Sequence, residues 1–440
     1  VATLSVSIGV MAPTLAMSIT GVAAAALLGR AASLAYVVAA VGVGLVAYGF
    51  TRLSAEFSSA GSVYAFVGGA LGPRAGFLAG WALLGTYLIF PVVSISAVAI
   101  FGRALLRSTG IAADAPWLPL ALVGWALVWL IASRAILTAA RTLLLFEVVS
   151  VALILVLMAI IVGKLIFGGA PAGRGVTLEV LAPPPGTTLS TIALASVFGF
   201  LSFAGFESAG SLGEEASDPR RAIPRSMIAA IVFGGVFYVS CVAVQTLGFG
   251  TDPAGVRAFA GSPAPIGELA RRYVGRGMAD VLNLAAIISA IGAGLGCASV
   301  AARMLFALGR DRLLAQRLAV VSPAGAPAGG LAFVMILDLA ILVIFGVAKA
   351  EPIDVFFYFA TIGTLSLLTM YVMTNVAAAR FLAAHGSRLE LVLPLAGIAV
   401  ALYVLYHNVY PVPDAPYDAF PYLVAGWLAA GLGLTAWRRR

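Results

Sequence analysis

Glu207 is a carboxylate in a stretch that otherwise reads as lipid-embedded, Phe198-Gly-Phe-Leu-Ser-Phe-Ala-Gly-Phe-Glu-Ser-Ala-Gly210. Placing such a charge at the centre of a helix in lipid costs about 2.5–3.5 kcal/mol on insertion scales. A chain that is 62% hydrophobic had leucine available for that position. Gly205, two residues earlier, loosens the helix where the charge sits. A charge on a breakable helix within the membrane is the chemistry of a solute or ion site. Three roles are open to Glu207. It could pair with a substrate cation, carry a coupling proton, or lock the broken helix through hydrogen bonds.

A second interruption lies near the start of the chain, in Gly9-Val-Met-Ala-Pro-Thr14. Pro13 has no N–H and frees the carbonyl four residues before it. Unwound backbone at membrane depth survives only where protein or a water-filled cavity satisfies it. Asp338 is a further carboxylate within an apolar run, expected to find a partner in the bundle or at a dimer contact. Glu147 follows Arg141 closely and is expected near the cytosolic end of its helix, snorkelling or pairing with a loop arginine.

These residues need helices to position them. The chain has 440 residues, of which 10% are charged, against about 25% for a soluble protein. Repeated apolar runs of about 20 residues match spanning helices, and the alternation of a transmembrane β-barrel does not occur. The chain therefore reads as an all-α polytopic membrane protein. Twelve spans are expected near 3–27, 33–51, 77–103, 117–133, 142–167, 190–213, 226–249, 279–307, 328–346, 354–381, 391–409 and 419–437. The two interruptions fall in the first and sixth spans. That spacing suits two inverted repeats, 1–167 and 190–381, each opening with a broken helix, followed by two additional helices over 391–437. The 1–440 chain then forms one integral membrane domain.

Arginine supplies 24 of the 26 basic residues, which with abundant Ala and Gly suggests a GC-rich bacterial source. The basic residues are scattered between apolar runs, as topology signals are, so the net charge of +8 is not a nucleic-acid footprint. With both termini in the cytosol, 16 of the 26 fall in inner connections, led by Arg310, Arg312, Arg317 and Arg438 to Arg440. Arg271, Arg272 and Arg276 form an opposing outer cluster. The expected location is a cell membrane. The chain opens at Val1 rather than Met, which points to a missing N-terminus. Residues 15–26 lack a preceding basic stretch and read as part of a span rather than a cleaved signal.

Cys241 and Cys297 lie in apolar runs, so neither a disulfide framework nor a metal site is expected, and no cofactor. The two histidines, His385 and His407, sit near connections, and no nucleophile–base or metal motif occurs. An intramembrane enzyme is therefore disfavoured. A channel would conduct without saturation or counterflow. A sensor would usually carry a soluble domain.

Four segments together resemble the amino acid–polyamine–organocation (APC) superfamily of permeases over nearly the whole length. They are Ala60-Gly-Ser-Val-Tyr64 with Leu71-Gly-Pro73 and Gly76-Phe-Leu-Ala-Gly-Trp81; the span-6 segment running into Glu214-Glu215-Ala-Ser-Asp-Pro-Arg-Arg-Ala-Ile-Pro224; Ala301-Ala-Arg-Met304 with Gly309-Arg-Asp-Arg-Leu313; and Ala360-Thr-Ile-Gly-Thr-Leu365 with Tyr371 and Asn375. The resemblance implies a LeuT-like fold of twelve helices and alternating access. Helices 1 and 6 would be unwound, with an amino acid, or alternatively an amine, polyamine or ethanolamine-like solute, held between them.

In that family the helix-1 break usually reads Gly-Ser-Gly and its amides hold a carboxylate. Here Met11, Ala12, Pro13 and Thr14 stand in its place, and Pro13 removes one donor. That departure leaves room for an amine. In helix 6 the carbonyls of Ser202, Phe203, Ala204 and Gly205 would accept from an ammonium group, and Phe203 and Phe206 would close over it. By position Thr86, Phe90, Pro91, Ser94, Cys297 and Thr361 should face the cavity. A sodium site would want paired hydroxyls, which Ser289 and Ser299, ten residues apart, do not give. Proton coupling or exchange is favoured, and oligomeric state is open. Glu214 and Glu215 with Arg220 and Arg221 could form an inner gate; a solvated turn is the alternative.

Overall fold

The computed structural model describes residues 2–57, 62–111, 115–134, 137–212, 218–323, 325–385 and 388–437. In chain order the α-helices are α1 (Ala2–Met11), α2 (Pro13–Leu28), α3 (Ser33–Glu56), α4 (Ser62–Leu71), α5 (Pro73–Thr109), α6 (Trp117–Ser133), α7 (Leu137–Phe167), α8 (Leu189–Phe203), α9 (Pro219–Phe249), α10 (Pro253–Ala260), α11 (Pro265–Tyr273), α12 (Arg276–Arg310), α13 (Ala328–Val347), α14 (Pro352–His385), α15 (Val392–His407) and α16 (Phe420–Trp437). Among the described residues there is no strand. Among the described residues nine helical segments are long and apolar enough to cross a membrane, counting α1–α2 as one segment and α8 with the turn after it as another. Helices α6 and α15 are shorter and apolar.

Each expected span contains a helix. The small helices α4, α10 and α11 were not anticipated, because runs of eight to ten residues carry too few turns for a periodic signal. Several helices also run past the expected limits. Pro73, at the first position of α5, favours helix because its missing N–H is one of the unpaired donors there anyway.

Helix α5 is buried along most of its length and packs chiefly on α12 and α14. Helix α3 packs on α8 and α9, and α2 on α8. Large side chains buried where these helices meet include Tyr36, Phe50, Tyr238 and Tyr371. Helix α16 docks on α5 through stacked indoles. The Trp81 and Trp427 rings lie 4.2 Å apart, and each Nε1–H donates to the other residue's carbonyl at 2.8 and 2.9 Å. Outward faces of the helices carry apolar side chains such as Val123, Val149, Ile336 and Leu423, which is the pattern of a lipid-exposed surface.

Asp338 is wholly buried within the chain, on α13, and neither carboxylate oxygen has a hydrogen-bond partner. The expected partner is therefore absent among the described residues. An unpartnered buried polar group destabilises by roughly 1–3 kcal/mol on mutational scales. Asp338→Leu should raise the thermal midpoint of the detergent-solubilised protein. A lower midpoint would mean that the carboxyl group is satisfied in the membrane.

Candidate functional site

The first break is set by Ala12, which sits at φ 44°, ψ 64° in the left-handed region. A residue with a Cβ pays for that conformation in steric strain. Pro13 then starts α2. The α1 helix loses its last donors as a result. Pro13 has none, Thr14 N–H donates at 2.7 Å to Glu147 Oε1 on α7, and Leu15 N–H donates at 3.1 Å to Ser289 Oγ on α12. Ser289 lies beside the Glu147 carboxylate as well. The carbonyls of Gly9, Val10 and Met11 are thus left without helical donors. Thr14 Oγ1 lies buried beside the same carboxylate without completing a hydrogen bond.

Glu147 neither snorkels nor meets a loop arginine; it is 5% exposed and holds the helix-1 break. The expectation failed because α7 begins at Leu137, ten residues earlier, which carries Glu147 about 15 Å along the helix. The signal that found Glu207, a carboxylate inside an apolar run, applies equally to Leu143-Leu-Leu-Phe-Glu-Val-Val-Ser150.

The second break follows Phe203. Gly205 has φ +109°, and the chain resumes as a 3₁₀ turn over Phe206–Leu212. Among the described residues no backbone N–H reaches the carbonyls of Ser202, Phe203 or Ala204. Glu207, 1% exposed, ties this break to the bundle. Its Oε1 accepts from Tyr87 Oη on α5 at 2.9 Å. Its Oε2 accepts from Gly205 N at 3.2 Å and from Tyr371 Oη on α14 at 3.4 Å. Ser208 Oγ donates to the Gly205 carbonyl at 2.6 Å.

The two breaks touch. A Cβ built on Gly205 would come within 2.6 Å of Val10 Cγ1 and 3.0 Å of Met11 N. Ser7 Oγ donates across to the Phe206 carbonyl at 2.8 Å. On the other side of the contact, Thr20 Oγ1 lies 3.1 Å from Ser202 Oγ and 2.6 Å from Tyr36 Oη. Between the breaks is a cavity of about 50 Å³, room for only a few water molecules.

Of the residues singled out in the sequence, Met11, Ala12, Phe90, Ser94, Ser202, Ala204 and Cys297 line this cavity. The others lie outside its wall. Pro13 and Thr14 sit behind Ala12 as the start of α2. Thr86 Oγ1 donates to the Gly363 carbonyl at 3.0 Å, joining α5 to α14. Pro91 is buried within α5. Thr361 bonds back to the Phe357 carbonyl at 2.8 Å.

Neither Phe203 nor Phe206 closes over the cavity. Phe203 packs edge-on against Tyr238, and Phe206 packs against Phe50 and Tyr371. The aromatic walls are instead Phe90 and Phe356. Phe356 and Thr20 were missed because packing, not sequence spacing, selects which helical faces meet here. Gly205 and Glu207 form the break without entering the cavity wall.

Glu214 and Glu215 lie outside the described residues. Arg220 and Arg221 are exposed, and Arg221 Nε stands 3.9 Å from Asp218 across a solvated turn. A pair so exposed contributes about 0–1 kcal/mol.

Residues 3–405 match the amino acid permease family. Among curated proteins, the low-affinity putrescine importer PlaP of Escherichia coli (strain K12) is 25% identical over 63% of this chain and 59% of its own length. The chain thus spans well under two thirds of that importer. The branched-chain amino acid permease BcaP of Lactococcus lactis subsp. cremoris (strain MG1363) is 27% identical, covering 83% of this chain and 80% of the relative. The methylthioribose transporter of Bacillus subtilis (strain 168) is 26% identical over 69% of this chain and 65% of its own length.

Proposed function

We propose, from the premise that this chain belongs to the amino acid permease family, that it is a secondary transporter carrying a small amino acid or amine across a bacterial cell membrane. The observation that carries this reading is the pair of broken helices whose unwound segments meet around a buried cavity. A membrane protein keeps unsatisfied backbone at such a place when a solute or water completes it.

The architecture we propose is LeuT-like. Nine long apolar segments, the shorter α6 and α15, and α16 make up twelve helices. Residues 1–167 and 190–381 form inverted repeats, each opening with its broken helix, and 391–437 add two helices. The solute site comprises Met11, Ala12, Phe90, Ser94, Ser202, Ala204 and Cys297. Pro13, Thr14, Gly205 and Glu207 shape the breaks, and Thr86 and Thr361 anchor the helices behind them. Both termini lie in the cytosol, as the arginine distribution favours.

The cavity is too small for a solute of more than a few atoms, so the helices around it must part to load one. Alternating access supplies that motion, driven by a proton gradient or by exchange. As part of this reading, Arg220 and Arg221 with the neighbouring Glu214 and Glu215 of the sequence would form an inner gate at the cytosolic end.

Counterflow in proteoliposomes tests the reading. Vesicles loaded with unlabelled solute should accumulate the labelled solute transiently, saturably and against its gradient. Flux that is linear in concentration and shows no counterflow would identify a channel instead.

A further inference from the structure

We infer that the site is built for an organic cation without a carboxylate, and that Glu147 is the residue that sets this selectivity by filling the anion position at the helix-1 break. The inference rests on the transporter reading above and names its substrate class.

A helix N-terminus offers unpaired N–H groups and a positive dipole end, and so holds anions. The start of α2 would be the place for a substrate carboxylate. Here every donor of that turn is already used. Pro13 has no N–H, Thr14 N–H is taken by Glu147, Leu15 N–H by Ser289, and Ala16 N–H by the Ala12 carbonyl at 3.0 Å. The occupant at Thr14 is itself a carboxylate, buried and held from α7. An incoming carboxylate would meet no free backbone donor at this turn and would find its place already filled by a carboxyl group. Among the described residues the Thr14 hydroxyl, wholly buried there, has no hydrogen-bond partner.

The second break follows the same plan. Glu207 Oε2 takes the Gly205 N–H. Each break therefore carries its own carboxylate on the donor side. The backbone groups that remain near the cavity are acceptors. Val10, Met11, Ser202 and Ala204, whose carbonyls lack helical donors, line it. These carbonyls end two helices whose negative dipole ends favour cations. Phe90 and Phe356 add ring faces on which an ammonium group can rest. An ammonium group can use these carbonyls and rings, whereas a carboxylate finds only side-chain hydroxyls such as that of Ser94.

Two pairs of probes differ only by the carboxylate: ornithine with putrescine, and leucine with isoamylamine. Binding to the purified full chain is measured by calorimetry, and transport separately by counterflow. In each pair the unmodified protein should bind the amine about tenfold or more tightly than the amino acid. Glu147→Ala frees the Thr14 N–H and removes the competing carboxyl group, so amino acid binding should improve about tenfold and the preference narrow or invert. Glu147→Gln, whose side-chain carbonyl still accepts from Thr14, should gain less than Glu147→Ala. Should Glu147→Ala fail to fold, Ser289→Ala frees the Leu15 N–H and should shift the ratio in the same direction.

Preference for the amino acid in both pairs would overturn the inference. So would equal losses for amine and amino acid in Glu147→Ala, or binding of none of the four probes. Selective binding of amines without counterflow would leave the selectivity standing and fail the transporter reading.

Discussion

Gly205→Ala is expected to abolish transport and to reduce sharply the amount of folded protein recovered from membranes. The added methyl would stand 2.6 Å from Val10 Cγ1 and 3.0 Å from the Met11 amide nitrogen. The second of these is backbone, which cannot rotate out of the way. Overpacking of this kind costs about 1–3 kcal/mol. The φ of +109° adds strain for any residue with a Cβ, about 1–3 kcal/mol more. The break relieves the clash only by moving α1 away from the 3₁₀ turn over Phe206–Leu212, which opens the cavity on that side and leaves the φ strain in place. Size-exclusion recovery and thermal midpoint report stability, and counterflow reports function. A variant that folds and transports normally would show that the two breaks need not touch.

Glu207→Leu should be the most destabilising single change at the site. It strands three buried donors, the Tyr87 and Tyr371 hydroxyls and the Gly205 N–H. Each stranded donor costs about 1–3 kcal/mol, so the sum exceeds what most point changes remove. Glu207→Gln keeps an acceptor and a similar shape, and should retain a midpoint close to that of the unmodified protein. The two variants separate the roles open to this residue. A Gln variant that folds, binds and exchanges solute but no longer responds to a pH gradient assigns Glu207 to the coupling proton. A Gln variant with all three functions intact leaves it the hydrogen-bonding lock that the geometry describes. If Glu207→Leu proves as stable as Glu207→Gln, the three hydrogen bonds do not hold the break.

Both breaks were legible in the sequence because each rests on a local rule. Proline removes a donor wherever it stands, and glycine beside a carboxylate within an apolar run is costly unless used. The helical class and the long spans were legible for the same reason, since composition and run length alone specify them. What joins the breaks was not legible. Glu147 reaches Thr14 across 133 residues of sequence, and Ser289 reaches Leu15 across 274. Nothing local states which helical face α7 or α12 turns toward α2.

The aromatic residues show the same limit from the other side. Phe203 and Phe206 stand next to the break, yet the turn at Gly205 points both into packing against Tyr238, Phe50 and Tyr371. Phe90 and Phe356, more than 100 residues from the break in either direction, supply the cavity walls instead. Adjacency in sequence does not predict direction once a helix is interrupted, because the 3.6-residue period no longer carries across the gap.

The central claim is that a solute occupies the cavity between the breaks, and Cys297 lies in its wall. The chain has two cysteines, and the other, Cys241, is buried beside Gln245 outside that wall. In a Cys241→Ser background the rate at which a small methanethiosulfonate reagent converts Cys297 to a mixed disulfide, releasing methanesulfinate, therefore reads the cavity alone. A solute shown to be transported should slow that rate in proportion to its occupancy, with half-protection at the concentration that half-saturates counterflow. A modification rate unchanged at saturating transported solute would place the solute elsewhere and contradict the account.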